Sequence, residues 1–285
     1  MAKKTGTRLA DFQYAGATAA VPPGKRARRF DLAAIDPRAK PFSSGDKAAD
    51  QAAVDALAGD IDRLQDMLYA DRRFKVLVVL QGTDTSGKDG TIRDVFWKTS
   101  ALGVRAAAWK APSDEERAHD FLWRIHEKVP GAGEIVLFNR SHYEDVLVPV
   151  IKGWITREQV EQRFAHINAF EKLLVETGTV ILKFMLHISK EEQRLRLQDR
   201  LDDPTKHWKF AVGDLEQRTR WDAYQAAYAD FVVATGTPWA PWTIVPADSK
   251  THRNLSIATA VKQSLQGLKL SYPPGDPALA TIQVI

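Results

Sequence analysis

Apolar residues recur along this chain at two periods. Val54, Leu57, Ile61, Leu64 and Leu68 lie three or four apart, the spacing of one helix face, and predict an amphipathic helix from Asp46 to Ala70. Val76 to Leu80 is instead an unbroken, mostly β-branched run, as in a short strand buried on both faces. The same reading places strands at Val104 to Trp109, Glu134 to Phe138, Thr179 to His187 and Trp242 to Pro246. Helical patterns separate them: Lys88 to Ala101, Ser113 to Val129, Thr156 to Thr177, a charged stretch from Ser189, Asp214 to Ala234, and 250–268. Ser113 with Glu116, and Thr156 with Gln159, stand at capping-box spacing. Strands alternating with helices predict an α/β fold, a parallel sheet with helices on both faces. Ligands in such a sheet bind beyond the C-terminal ends of the strands.

Two polar clusters fall at such ends. After the strand at Val76, Gly82-Thr83-Asp84-Thr85-Ser86-Gly87-Lys88 has the glycine and lysine spacing of a phosphate-binding loop. Gly82 and Gly87 let the backbone curl so that successive N–H groups converge on a phosphate, the following helix N-terminus favours an anion, and Lys88 adds a full charge. Two residues depart from the common pattern. Asp89 stands where Ser or Thr would hold Mg²⁺, and Asp84 puts into the loop a carboxylate that would repel a polyanion unless a metal intervened. After the strand at Glu134 comes Asn139-Arg140-Ser141-His142-Tyr143-Glu144-Asp145. Phosphate-loop proteins commonly place a Mg²⁺-binding acid after such a strand. Here the first slot is the neutral Asn139, followed by Glu144 and Asp145. His142, with no second histidine nearby, reads as structural.

A third cluster, from Ser189 to Arg220, mixes bases and acids and is broken by Asp202-Asp203-Pro204, with Lys206, Trp208 and Lys209 after the break. We read residues 190–220 as a helical lid that brings arginines onto a transferring phosphoryl group and excludes water. Arg196 and Arg200 can share a helix face, so Arg200 is the favoured lid arginine, with Arg196 or Arg194 in support.

Composition changes this picture little. The 285 residues carry a net charge of +4, with 44% hydrophobic and 27% charged residues, ordinary for a soluble globular protein. No cysteine is present, which excludes a disulfide framework, a thiolate zinc site and a cysteine nucleophile. No apolar run approaches the roughly 20 residues of a membrane span, and the N-terminus lacks a secretory signal, so a cytoplasmic protein is expected. Residues 1–45 read as an irregular arm whose Lys25, Arg26, Arg28 and Arg29 form a solvated basic cluster. Residues 46–270 read as the α/β domain and 271–285 as a Pro-rich tail.

The stretches VVLQGTDTSGKDGTIRDVF, FNRSHYEDVLV and LKFMLHISKEEQRLRLQDRLDDPTKHWKF, with GDLEQRTRWDAY, together resemble the second family of polyphosphate kinases, over about residues 45–275. Both Asp84 and Asp89 agree with that family. The resemblance implies a P-loop-type kinase that moves the terminal phosphoryl of inorganic polyphosphate reversibly to nucleoside mono- and diphosphates. It implies that Asp84 and Asp145 organise Mg²⁺ (Mn²⁺ as a substitute), and that Lys88, Arg140, Arg200, Lys206 and Lys209 contact phosphates. The loop residues Gly82, Thr85, Ser86, Gly87 and Asp89 would line the polyphosphate, and Asn139, Arg140 and Glu144 the nucleotide. Tyr143-Glu144-Asp145, where many relatives carry Tyr-Asn-Arg, resembles the subclass acting on both AMP and ADP. Homodimers or homotetramers are also implied.

Two other readings compete. An ATP-dependent nucleoside monophosphate kinase shares the loop, sheet and lid, but Asp89 argues against it. A non-catalytic polyanion or nucleic-acid binding module would use the basic lid and arm. Acids are as frequent as bases through the lid and stacking motifs are not evident, so nucleic acid is the weaker partner.

Overall fold

The computed structural model describes residues 13–14 and 30–284. The basic cluster at Lys25, Arg26, Arg28 and Arg29 lies outside them. Strands β1 (Gln13–Tyr14), β2 (Lys75–Gln81), β3 (Val104–Ala108), β4 (Ile135–Asn139), β5 (Thr179–His187) and β6 (Trp242–Pro246) form one six-stranded sheet in the order β1-β6-β5-β2-β4-β3. All pairings among β2 to β6 are parallel; β1 joins antiparallel, with Tyr14 opposite Trp242. Part of the arm therefore supplies an edge strand, where irregular structure was expected. Strand β2 is central, and Leu80 lies opposite Asn139 on β4 and Phe184 on β5. The ends of β2 and β4 that carry the polar clusters are thus direct neighbours.

The helices are α1 (Lys47–Asp71), α2 (Lys88–Val95), α3 (Asp114–Ala118), α4 (Trp123–His126), α5 (Glu144–Lys152), α6 (Arg157–Glu176), α7 (Lys190–Asp202), α8 (Val212–Thr219), α9 (Trp221–Thr235) and α10 (Lys250–Gly267). Side chains of β2 alternate between two apolar layers. Val76, Val78 and Leu80 pack with Ile61 and Leu68 of α1 and Ile257 and Val261 of α10. Leu77 and Val79 join the layer of Val146 on α5, Phe170 on α6, Phe231 on α9 and Trp242. Each such fully buried side chain contributes about 1.5–3 kcal/mol.

Several helices are shorter than their periodicity suggests, and local hydrogen bonds explain where they stop. Helix α2 ends at Val95 rather than Ala101, where the Thr99 hydroxyl donates to the Phe96 carbonyl at 2.7 Å. The pattern from Ser113 to Val129 divides into α3 and α4 because the Leu122 N–H donates to Asp120 Oδ1 at 2.9 Å in an Asx turn. The capping boxes at Ser113–Glu116 and Thr156–Gln159 are both formed. The expected helix from Asp214 is two, α8 and α9, meeting at Arg220. Pro204, with no N–H to donate, follows the end of α7 and opens a 3-10 helix, Pro204–Lys209.

Inside the α5–α6–α9 layer lies a fully buried ion pair. Lys183 Nζ on β5 donates to Glu171 Oε2 (2.7 Å), Tyr143 OH (3.1 Å) and the Thr235 carbonyl (2.7 Å). Tyr143 OH also donates to Glu171 Oε1 at 2.7 Å, and His142 Nε2 lies 3.3 Å from the same oxygen. His142 is therefore part of the core. Burial alone would raise the Glu171 carboxyl, but the Lys183 ammonium and the His142 bond outweigh it and hold Glu171 ionised. Removing one partner would strand the other charge in the core. Lys183→Met should cost about 3–5 kcal/mol in urea unfolding, with Lys183→Met/Glu171→Leu recovering most of it. An unchanged midpoint in the single variant would show that this pair does not hold the layer together.

Candidate active site

The chain leaves β2 at Gln81 and enters α2 at Lys88 through a loop that glycine makes possible. Gly82 has φ +148°, and a Cβ there would sit 2.6 Å from the Leu186 carbonyl oxygen. Gly87 caps α2 at φ +104°, where a Cβ would meet Arg253 Nη1 at 1.7 Å. Thr85 also adopts a left-handed conformation, φ 67°, costly for a β-branched residue. Lys88 is buried and folds back over the loop, donating to the carbonyls of Gly82 (2.8 Å) and Thr83 (3.1 Å) and to Ser86 Oγ (3.4 Å). Burial and then the neighbouring Arg140 charge lower its pKa to about 8. Asp89, in the slot of the expected hydroxyl, accepts from Asn139 Nδ2 and so ties α2 to the end of β4.

Arg140, directly after β4, has φ 63°, and its N–H donates to the Leu80 carbonyl at 3.0 Å. This bond extends the β2–β4 ladder by one step and turns the guanidinium towards the loop. There Arg140 pairs with Asp84 and, at 3.4 Å, with Glu144. Burial opposes its charge, but these carboxylates outweigh that and hold the proton more firmly. Glu144 is raised by burial despite Arg140 and Lys88. With its amide turned to suit its neighbours, Gln81 donates to Glu144 Oε1 at 3.0 Å. Asp145 faces another way: Arg124 Nη2 donates to both its oxygens, at 2.9 and 3.1 Å. Burial raises the Asp145 carboxyl, and Arg124 opposes that rise.

The residues expected to form a lid do not share one environment. Arg200 Nη1 donates to the Lys209 carbonyl (2.9 Å) and to Asp214 Oδ2 (3.3 Å), and Asp214 in turn lies against Asp84. Burial, then the Asp84 carboxylate, raise Asp214. Arg196 is buried behind the loop, where Nη1 donates to the carbonyls of Thr85 (2.8 Å) and Ser86 (3.1 Å) and Nη2 to those of Ala247 (2.7 Å) and Asp248 (2.8 Å). Its expected support of Arg200 at the phosphoryl is replaced by a hold on the loop's outer side. Arg194 pairs with the exposed Glu191, and Lys206 with Asp199 and Asp203. Lys209 Nζ sits 4.8 Å from the centroid of the exposed Trp208 ring.

Asp84, Lys88, Arg140 and Glu144 therefore converge at one point, with Arg200 joined through Asp214. Asp145 belongs to an adjoining pair with Arg124. Among the described residues no group of three or more His, Asp or Glu side chains is disposed to hold a metal ion. Mg²⁺, however, is usually bound by one or two carboxylates with water and substrate phosphates. Asp84 and Asp214, two crowded hard-oxygen donors, fit that demand. Asp214, Arg124 and Arg253 did not emerge as site residues from the sequence. Asp214 was legible only as a helix start, and the two arginines sit in runs without a motif.

The comparisons with known proteins agree with this geometry. Residues 44–272 match the family model of polyphosphate kinase 2. The chain is 46% identical over 256 residues to an AMP/ADP-polyphosphate phosphotransferase of Meiothermus ruber, covering 90% of this chain and 96% of that protein. An ADP-polyphosphate phosphotransferase of Rhodopseudomonas palustris is 39% identical over 75% of this chain and 78% of its own. A crystal structure of polyphosphate kinase 2 from Arthrobacter aurescens TC1 superimposes with a TM-score of 0.89 at 40% identity, covering 97% of this chain and 95% of that one. With a family model matched over most of its length and relatives this similar, the chain belongs to the polyphosphate kinase 2 family.

Proposed function

We propose that this protein transfers the terminal phosphoryl group of inorganic polyphosphate to AMP and ADP, and catalyses the reverse reaction. The observation that carries the reading is the convergence of Lys88, Arg140 and Asp84 at the adjoining ends of β2 and β4. The acceptor oxygen of a nucleotide phosphate is already ionised, so the reaction needs alignment and charge neutralisation more than a base. The curled loop and Lys88 bind phosphate oxygens. Arg140, freed from Asp84 and Glu144 as phosphate oxygens replace those carboxylates, spans donor and acceptor. Arg200 enters from the lid formed by residues 190–220, with Lys206 and Lys209 receiving the rest of the polyanion. Asp84, with Asp214 beside it, would hold Mg²⁺ or Mn²⁺, while Asp145, expected as a second ligand, is engaged by Arg124. The ion would offset charge on the transferring group.

Glu144 sits beside Arg140, half-buried and polar, where a nucleotide phosphate or sugar would come to rest. This supports acceptance of both AMP and ADP, in line with the printed name of the Meiothermus ruber relative. Among the described residues no helix is long and apolar enough to cross a membrane, which supports action on these substrates in the cytoplasm. Exposed Trp97, Leu102 and Trp154 are surfaces that a homodimer or homotetramer could cover.

The assay is nucleotide formation from long-chain polyphosphate, Mg²⁺ and AMP, followed over time beside an ATP-plus-AMP control. ADP should appear first and ATP later. Asp84→Asn and Lys88→Ala should each lower turnover by about 100-fold or more with an unchanged fold by circular dichroism. Full turnover in both variants, or activity with ATP as the only donor, would defeat the proposal. Acidity gives a second test. Lys88 is charged below about pH 8 and neutral above it, so kcat/KM for polyphosphate should fall as pH rises through that value. Lys88→Arg, which keeps its proton, should move the fall to higher pH. An identical alkaline limb in both proteins would assign the titration to another group.

A further inference from the structure

Behind the phosphate loop lies a buried cation that the reaction scheme does not use. Arg253, in the first turn of α10, is 2% exposed. Its Nη1 donates to the Ser86 carbonyl at 3.4 Å and presses on Gly87, where even a Cβ would not fit. Nε and Nη2 donate to Asn254 Oδ1 at 3.0 and 2.8 Å. Among the described residues no carboxylate pairs with it. The closest route to one runs through the Asn254 amide, whose Nδ2 donates to Asp94, itself paired with Arg93. Arg196 on the same carbonyl differs, because Glu192 answers its charge at 2.7 Å. A buried cation without an ion pair is costly unless a negative charge is supplied. The residues it presses on are the ones whose far side faces the phosphate.

We propose that Arg253 is a positioning residue for polyphosphate: its buried charge, paired with no carboxylate among the described residues and reached by Asp94 only through the Asn254 amide, is offset by a phosphate bound across the loop. The inference rests on the proposed function and adds a residue that acts through the Ser86–Gly87 backbone without touching substrate. Burial and the Arg196 charge lower the Arg253 pKa to about 9, which leaves it charged at neutral pH.

The test compares the full protein with Arg253→Gln and Arg253→Lys, by thermal melting with and without long-chain polyphosphate at fixed salt and by steady-state kinetics. A residue needed only for the fold would lower the melting temperature in both conditions. The proposal expects Arg253→Gln to melt at or above the wild type without polyphosphate, and to lose more than about half of the stabilisation that polyphosphate gives. KM for polyphosphate should rise roughly tenfold while KM for AMP stays within about twofold, and Arg253→Lys should restore most of the difference. A Gln variant that melts lower without polyphosphate, or does not fold, overturns the inference. So does one whose polyphosphate shift and KM match the wild type. A wild-type protein that neither melts higher with polyphosphate nor uses it overturns the reading of the site itself, before any variant is compared.

Discussion

A loop whose N–H groups converge on one point must turn its carbonyls outward, and a buried carbonyl needs a donor. That constraint organises this molecule. The carbonyls of Gly82 and Thr83 are met by Lys88, that of Thr85 by Arg196, and that of Ser86 by Arg196 and Arg253. The donors come from α2, α7 and α10, which the sheet must deliver to one place. Parallel strands do so because successive crossovers set their C-terminal ends side by side. β2 lies between β4 and β5, and β5 leads straight into α7.

The charges around the loop follow from the same arrangement. Lys88, Arg196 and Arg253 concentrate positive charge on the loop, and Asp84, Glu144 and Asp214 stand on its open side with Arg140 among them. Cation and carboxylate are close enough to hold each other in place, yet Arg140 is a third exposed and its contact with Glu144 is long. A phosphate can exchange with such contacts at modest cost. The core pair Lys183–Glu171, with both side chains sealed at 0% exposure and four further hydrogen bonds, has no such freedom. The difference between a structural and a functional ion pair here is access.

Strands β2 to β6, the loop and the break at Pro204 were legible because each rests on local rules: an apolar run, glycine at positive φ, a proline without an N–H; the edge strand β1, two residues long, carries no such run. The ends of α2, α3 and α8 were not, since a side-chain or shared hydrogen bond interrupts an otherwise unbroken pattern. Arg196 shows the limit of reading a lid from charge. Its spacing from Arg200 predicts a shared face, but the fold buries one and leaves the other beside Asp214. Arg253 is further still from any sequence signal. Its role depends on α10 returning across the sheet to meet a loop more than 160 positions earlier in the chain.

Arg196 and Arg200, two of the three arginines of α7, are held with very different firmness. Arg196 is fixed by four backbone carbonyls drawn from the phosphate loop and the end of β6, and by Glu192 on its own helix. One turn later, among the described residues, Arg200 meets the Lys209 carbonyl and, at 3.3 Å, Asp214, both from the segment that follows α7. Helix α7 is therefore tied to the loop and the sheet at Arg196 and held more loosely one turn later. Arg200 is thereby linked to Asp84 through Asp214, which it holds on one side and which lies against Asp84 on the other.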